Sequence, residues 1–174
     1  MCFCEKCGSR LTRKVCGPDG LIPYCETCRE FRFPTYSSAI SVLLYNPNRD
    51  KILLIQQYGR SDNILIAGYI NKGENAKQTL VREVEEEVGL HVTDYVYNDN
   101  EYFEKTNTLM HNYAAAADSE NFTLTGEVDR ALWVPEAQVL DAMKPGSLAR
   151  SFAERYLKKK QERRSGGSGP DPVL

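Results

Sequence analysis

Apolar residues follow two different periods along the chain, and the switches between them mark its elements. Tyr36 to Tyr45 and Ile52 to Gln57 are β-rich runs joined by the turn-prone Asn46-Pro47-Asn48-Arg49-Asp50, which predicts a hairpin or meander. From Asn75 to Val88 the period becomes helical, with Leu80, Val81, Val84 and Val88 on one stripe. Asn75 and Gln78 are spaced as a capping box, and Gly89 stands where a helix C-cap belongs. Strands are expected next at His91 to Tyr97, Thr108 to Ala117 and Ala131 to Val134, followed by helices near Glu136 to Met143 and Ser147 to Arg163. Strands and helices mix without a strict βαβ rhythm, so α+β or α/β/α is indicated. There is no internal repeat.

Composition narrows this picture. A chain of 174 residues with 41% hydrophobic content can fill one core and carry a short appendage, but not two full-sized domains. Charged residues make up 26% and nearly cancel to a net charge of -2, which argues against a polybasic nucleic-acid binder or an acidic disordered chain. The longest apolar run, Ala39 to Tyr45, is far below the roughly 20 residues of a membrane span. The start, Met1-Cys2-Phe3-Cys4-Glu5-Lys6, lacks the apolar segment of a secretory signal, so a cytoplasmic location is expected. Three zones follow: residues 1–32, rich in cysteine and Gly/Pro turns; residues 33–164, globular; and residues 165–174, a Gly/Ser/Pro stretch expected to be a flexible tail.

All six cysteines fall between positions 2 and 28, which suits a local site better than disulfides spread over a secreted fold. Cys4-x-x-Cys7 and Cys25-x-x-Cys28 are two knuckles at the spacing that surrounds a tetrahedral Zn²⁺ with four thiolates. A full thiolate shell leaves no position for a catalytic water, so a structural zinc ribbon is expected. Too short to build a core, that zone needs such a staple. Cys2 and Cys16 are left over. Either can exchange into the quartet or be an ordinary reduced cysteine, and a redox role for one knuckle is the alternative to zinc.

The informative stretch of the globular zone runs from Gly68 to Leu90. Glu83, Glu86 and Glu87 stand at i, i+3 and i+4, so their carboxylates share one helix face beside the apolar stripe. Such a run is either a solvated acidic face or a site for a hard divalent cation, which removes the mutual repulsion and keeps waters for a phosphate to replace. Spacing favours the second. Gly68, Glu74, Arg82-Glu83-Val84, Glu86-Glu87 and Gly89-Leu90 match the signature of the Nudix hydrolases, at a chance level on the order of 10⁻⁷ for ordinary residue frequencies.

This resemblance implies an α+β fold, an α/β/α sandwich around a mixed sheet, with a strand-loop-helix unit that holds Mg²⁺ or Mn²⁺ against a diphosphate. By position, Glu83, Glu86 and Glu87 would be catalytic metal ligands joined by the Gly68 backbone carbonyl. Glu74 and Arg82 would be paired structural residues, with Gly68 and Gly89 fixing the loop and the helix end. The general base varies within the family and is left unassigned.

A zinc ribbon directly before such a domain resembles the NADH pyrophosphatase group. The likeness continues in Phe31-Arg32-Phe33-Pro34, Thr108-Leu109-Met110 and Ser147-Leu148-Ala149-Arg150-Ser151-Phe152. Glu127, six residues before Trp133, resembles that group's further acidic residue at the metal site, its alternative being an exposed strand-edge acid. One segment departs: where the group carries Ser-Gln-Pro-Trp, this chain has Asn100-Glu101-Tyr102-Phe103. Tyr102 and Phe103 are therefore either substrate-stacking rings or core. Trp133, His91 and His111 are read as structural.

The group resemblance implies hydrolysis of NADH or NAD⁺ to reduced or oxidised nicotinamide mononucleotide plus AMP, and a homodimer. The altered segment opens ADP-ribose, dinucleoside polyphosphates and capped RNA as other substrates. A competing function is a nucleotide-sensing or nucleic-acid-binding module, motivated by Lys6, Arg10, Arg13, Lys14, Arg29 and Arg32, but Glu5, Asp19, Glu26, Glu30 and the thiolates bring the ribbon near neutrality.

Overall fold

The structure is a computed structural model that describes residues 2–165. The described residues form two compact units, one ending at Tyr36 and the other beginning at Ser37. The sequence reading of a flexible tail falls on residues outside this range, except that Ser165 closes the last helix instead of opening the tail.

In the first unit three short strands, β1 (Thr12–Val15), β2 (Leu21–Cys25) and β3 (Glu30–Phe31), form an antiparallel sheet in that order. A 3-10 turn at Gly17–Asp19 links the first two. Tyr24, Phe31 and Phe33 pack edge to face or tilted on one another, but little apolar surface is fully buried. Val15 and Leu21 lie on the surface, and the buried side chains of this unit are those of Cys4 and Cys25. The thiol cluster takes the place of a hydrophobic core, as expected for a segment too short to build one.

The second unit is built on six strands: β4 (Ser37–Tyr45), β5 (Lys51–Gln57), β6 (Ile66–Tyr69), β7 (Val92–Phe103), β8 (Thr108–Ala117) and β9 (Val128–Pro135). The order is β7-β8-β4-β5-β9, with β6 paired to β4 beside β5. β4 runs parallel to β8 over its whole length and antiparallel to its other partners, so the sheet is mixed as expected. On its other edge β4 divides, Ala39 to Val42 pairing with β6 and only Leu44 and Tyr45 with β5.

Three helices cover the sheet: α1 (Ala76–Val88), α2 (Val139–Ala142) and α3 (Leu148–Ser165). One core cluster joins Ile40, Val42 and Leu44 to Leu80, Val84 and Val88 of α1, and the other joins Leu43 and Tyr45 to Val139, Ala153 and Tyr156. β4 and β5 are thus buried on both faces, which is why they read as continuous apolar runs rather than alternating ones. No helix among the described residues is long and apolar enough to cross a membrane.

α1 is capped as the sequence predicts: the Asn75 side chain accepts from the Lys77 and Gln78 amides, Gln78 reaches back to the Asn75 amide, and Gly89 ends the helix in the left-handed region. Two other elements differ from expectation. β7 continues past Tyr97 to Phe103, so Asn100 to Phe103 are strand rather than loop. Asn98, Asp99 and Asn100 are poor strand formers, but a bulge at Tyr97/Asp99 turns Asn98 inward, where it donates to Asn112 at 2.8 Å and to the Phe152 carbonyl at 3.1 Å. The helix expected over Glu136 to Met143 is a 3-10 turn, Glu136–Gln138, followed by the single turn of α2.

Candidate active site

α1 holds the acidic residues in three distinct environments. Glu83 packs over Gly68 of β6, where a Cβ on Gly68 would fall inside the Glu83 carboxylate. Any other residue at 68 would displace it. Glu87 is 3% exposed; Gln57, at the end of β5, donates to its Oε1 at 2.8 Å, and its Oε2 is buried with no hydrogen-bond partner among the described residues. Glu86 lies outward on the exposed side of the helix.

Arg82 ties this group together. Its Nε and Nη2 donate to the two oxygens of Glu74 at 2.8 and 3.0 Å, while Nη1 lies 2.8 Å from Glu83 and 2.7 Å from Glu86. Nη2 also donates to the Tyr69 carbonyl at 3.1 Å, so one guanidinium fastens the loop, β6 and α1. The Arg82 hydrogen bonds hold the Glu74 carboxyl down to about 2.

Burial dominates at the inner acids. It pushes the Glu87 carboxyl up to about 8, against the Gln57 bond that lowers it, with the charges of Glu83 and Glu127 adding to the rise. Glu83 is likewise raised, first by burial, and Arg82 opposes the shift. Glu127 sits exposed in the turn before β9, and its charge acts on both Glu83 and Glu87, so it shares their electrostatic neighbourhood. The charge of Glu86 acts on both as well, so the four acids share one electrostatic neighbourhood, Glu83 and Glu87 on its inner side and Glu86 and Glu127 exposed.

A carboxylate oxygen buried without a partner, near a second carboxylate seated on a glycine backbone, suits a hard divalent cation, whose charge would reverse the cost of ionising Glu87. Gln57 was invisible to sequence reasoning. Nothing in a glutamine at a strand end announces a partner thirty positions away.

The remaining residues lie elsewhere. Tyr102 is exposed on β7 and donates its hydroxyl to Asn107 at 2.6 Å; Phe103 ends the same strand. Trp133 is half-buried against the α1-side core and donates to the Glu120 carbonyl at 3.0 Å. His111 packs against Tyr97, and burial lowers its pKa; His91 directly precedes β7.

In the first unit the sulfurs of Cys4, Cys7, Cys25 and Cys28 all lie within 4.8 Å of one another. Cys4 and Cys28 are 4.0 Å apart, Cys7 and Cys25 3.5 Å. A tetrahedral metal with bonds of about 2.3 Å to sulfur has edges of about 3.8 Å, so the cluster can close on an ion with little movement. Arg32 donates to the Cys4 sulfur at 3.3 Å, a bond that favours the Cys4 thiolate, and the Cys28 amide donates to Cys25 at 3.4 Å. Cys2 and Cys16 stand outside the cluster.

Residues 35–155 match the NUDIX domain, and the chain belongs to the NUDIX family. It is 29% identical over 175 residues, 99% of its length, to the NAD-capped RNA hydrolase NudC of Pseudomonas aeruginosa (strain LESB58). It is 30% identical over 162 residues, 90% of its length, to the protein of that name from Vibrio atlanticus (strain LGP32). The chain spans 59% and 58% of the length of these relatives.

Among solved structures, a NUDIX hydrolase from Nitrosomonas europaea matches with a TM-score of 0.70 at 18% identity, covering 97% of this chain and 96% of that one. The NUDIX domain of Shewanella oneidensis NrtR, complexed with ADP ribose, matches with a TM-score of 0.56 at 19% identity, covering 79% of this chain and 94% of that one. At these identities the likeness concerns the fold.

Proposed function

We propose that this chain is a metal-dependent hydrolase of a diphosphate that links a nucleoside to a second group, with NADH and NAD⁺ the leading substrates and reduced or oxidised nicotinamide mononucleotide plus AMP the products. One observation carries the reading: the partnerless oxygen of buried Glu87 beside Glu83, which is itself seated on a glycine. Glu83, Glu86, Glu87 and Glu127, with the Gly68 carbonyl, would hold Mg²⁺ or Mn²⁺. When bound, the cation neutralises phosphate charge and lowers the pKa of a water for in-line attack.

The chain's own residues prepare that step. Gln57 fixes one oxygen of Glu87 and leaves the other open. Arg82, anchored by Glu74, sets the orientation of Glu83 and Glu86. In the reaction a water oxygen bonds to one phosphorus, the bridging P–O bond breaks, the other phosphate leaves with the bridging oxygen, and the water proton passes through a carboxylate to solvent. The NAD moiety at an RNA 5′ end presents the same diphosphate, and the names of the two relatives favour it as a second substrate. In the first unit Cys4, Cys7, Cys25 and Cys28 would hold a structural Zn²⁺. The chain is read as a homodimer, which light scattering checks; a monomer at micromolar concentration would remove that part.

The test is mass spectrometry of products after incubation with Mg²⁺ or Mn²⁺ and NADH, NAD⁺, ADP-ribose and dinucleoside polyphosphates. AMP plus reduced nicotinamide mononucleotide is expected, with Glu86→Gln slower by orders of magnitude. Cleavage of a different diphosphate would move the substrate assignment. No cleavage at all, or normal turnover by Glu86→Gln, would overturn the reading.

A further inference from the structure

A turn beside Glu87 holds a bulky residue in a backbone conformation that bulky residues avoid. β5 ends at Gln57, and Tyr58 and Gly59 follow with φ of 57° and 67°, closed by the Arg60 amide donating to the Gln57 carbonyl at 3.1 Å. Two successive positive φ angles are the pattern of a type I′ turn, for which Asn-Gly is the favoured pair. Tyrosine at the first position is strained, because its Cβ crowds the backbone and it has no short polar side chain to compensate.

Such strain survives only where the surroundings over-determine it. They do here. The Gly59 amide donates to Asp129 on β9 at 2.7 Å, Gln56 donates to the Ser61 carbonyl at 3.0 Å and to Asn63 at 2.9 Å, and Asn63 donates to the Ala142 carbonyl at 2.8 Å. Ile55 and Ile64 exchange both backbone hydrogen bonds and close the loop at its base. The Tyr58 ring takes part in none of this: it is 75% exposed and makes no hydrogen bond or ring contact among the described residues. Packing thus gives no reason for tyrosine at this position, while its chain neighbour touches the buried carboxylate of the acidic site.

We propose that Tyr58 is a substrate-binding ring on which a base of the substrate stacks, held rigidly next to the point where the diphosphate binds. The proposal rests on the hydrolase reading above. Its ligand chemistry is a flat heteroaromatic ring, adenine or nicotinamide, attached to that diphosphate. Base–aromatic stacking is sequence-tolerant and loses about five-fold to a hundred-fold in affinity when the ring is removed.

The decisive variant is Tyr58→Asn, because asparagine favours the left-handed region and removes the ring without disturbing the turn. Its melting temperature should rise while KM for NADH increases by about five-fold or more, with a much smaller change in kcat; Tyr58→Phe should keep the wild-type KM. A matching rise for ADP-ribose, which lacks nicotinamide, places adenine on the ring, whereas a rise for NADH alone places nicotinamide there. Unchanged KM for both substrates, or a lower melting temperature for Tyr58→Asn, overturns the proposal. Calorimetric binding of NADH and ADP-ribose with Ca²⁺ in place of Mg²⁺ separates the two claims: a wild type that cuts nothing overturns the hydrolase reading, while Kd values unmoved by Tyr58→Asn overturn the role of Tyr58.

Discussion

Replacing Glu87 by glutamine should stabilise the folded protein in buffer without Mg²⁺ or Mn²⁺. Glu87 is 3% exposed, and burial raises its carboxyl from 4.5 to about 8, so at neutral pH the folded chain must take up a proton that the unfolded chain does not hold. Each pKa unit is 1.36 kcal/mol, and at pH 7 about 2.5 units of the shift are expressed, which gives a cost of about 3 kcal/mol. Glutamine is neutral at every pH and so removes this cost, keeps the shape, and can still accept from Gln57 through its amide oxygen. Its amide nitrogen takes the place of the partnerless Oε2 and forfeits about 1 kcal/mol or more as an unsatisfied donor. The net expectation is a gain of about 1–2 kcal/mol, or a rise in melting temperature of roughly 3–8 °C.

The pH dependence has a definite sign. Because the folded pKa is the higher one, the folded state binds more protons than the unfolded state between about 4.5 and 8, and wild-type stability falls as pH rises through that window. Urea melts of both proteins at pH 5, 6, 7 and 8 should therefore show the variant's advantage growing with pH and nearly vanishing at pH 5. Added Mg²⁺ should reverse the order, since the cation binds the ionised wild type more tightly. A Glu87→Gln protein less stable than wild type at pH 8, or an advantage independent of pH, would refute the argument from burial.

Two further outcomes are expected. Gly68→Ala places a Cβ in the space of the Glu83 carboxylate, so kcat should fall by about 100-fold with the far-ultraviolet circular dichroism unchanged, and a variant within a few-fold of wild type would show that Glu83 needs no fixed seat. Metal analysis should find equimolar zinc in wild type and none in Cys25→Ser, whose first unit should become protease-sensitive while the melting transition of the second persists; zinc retained by the variant would exclude Cys25 from the site.

Much of this protein is local and therefore legible in its residues. The capping box at Asn75 and Gln78, the left-handed Gly89, and the placement of Glu83, Glu86 and Glu87 on one helix all follow from spacings within a single turn or two. The cysteine knuckles are readable for the same reason: each pair is fixed by its own short segment, and a chain without a core must close on something. The buried runs of β4 and β5 announced themselves by continuous apolarity.

What the tertiary structure decided are differences between residues that look alike in the sequence. Three glutamates on one helix turn become a seated acid, a rim acid and a buried acid because β6 supplies a glycine under Glu83 and β5 supplies Gln57 beside Glu87. β7 extends through Asn98 to Asn100 because a bulge lets Asn98 satisfy its amide on Asn112 and α3, a compensation no local propensity contains. Tyr58 stands at positive φ in a turn whose next residue, Gly59, is bonded by an aspartate seventy positions further on. Spacing sets which face of an element a side chain occupies; burial, and the partner that burial demands, depend on what the fold packs against that face.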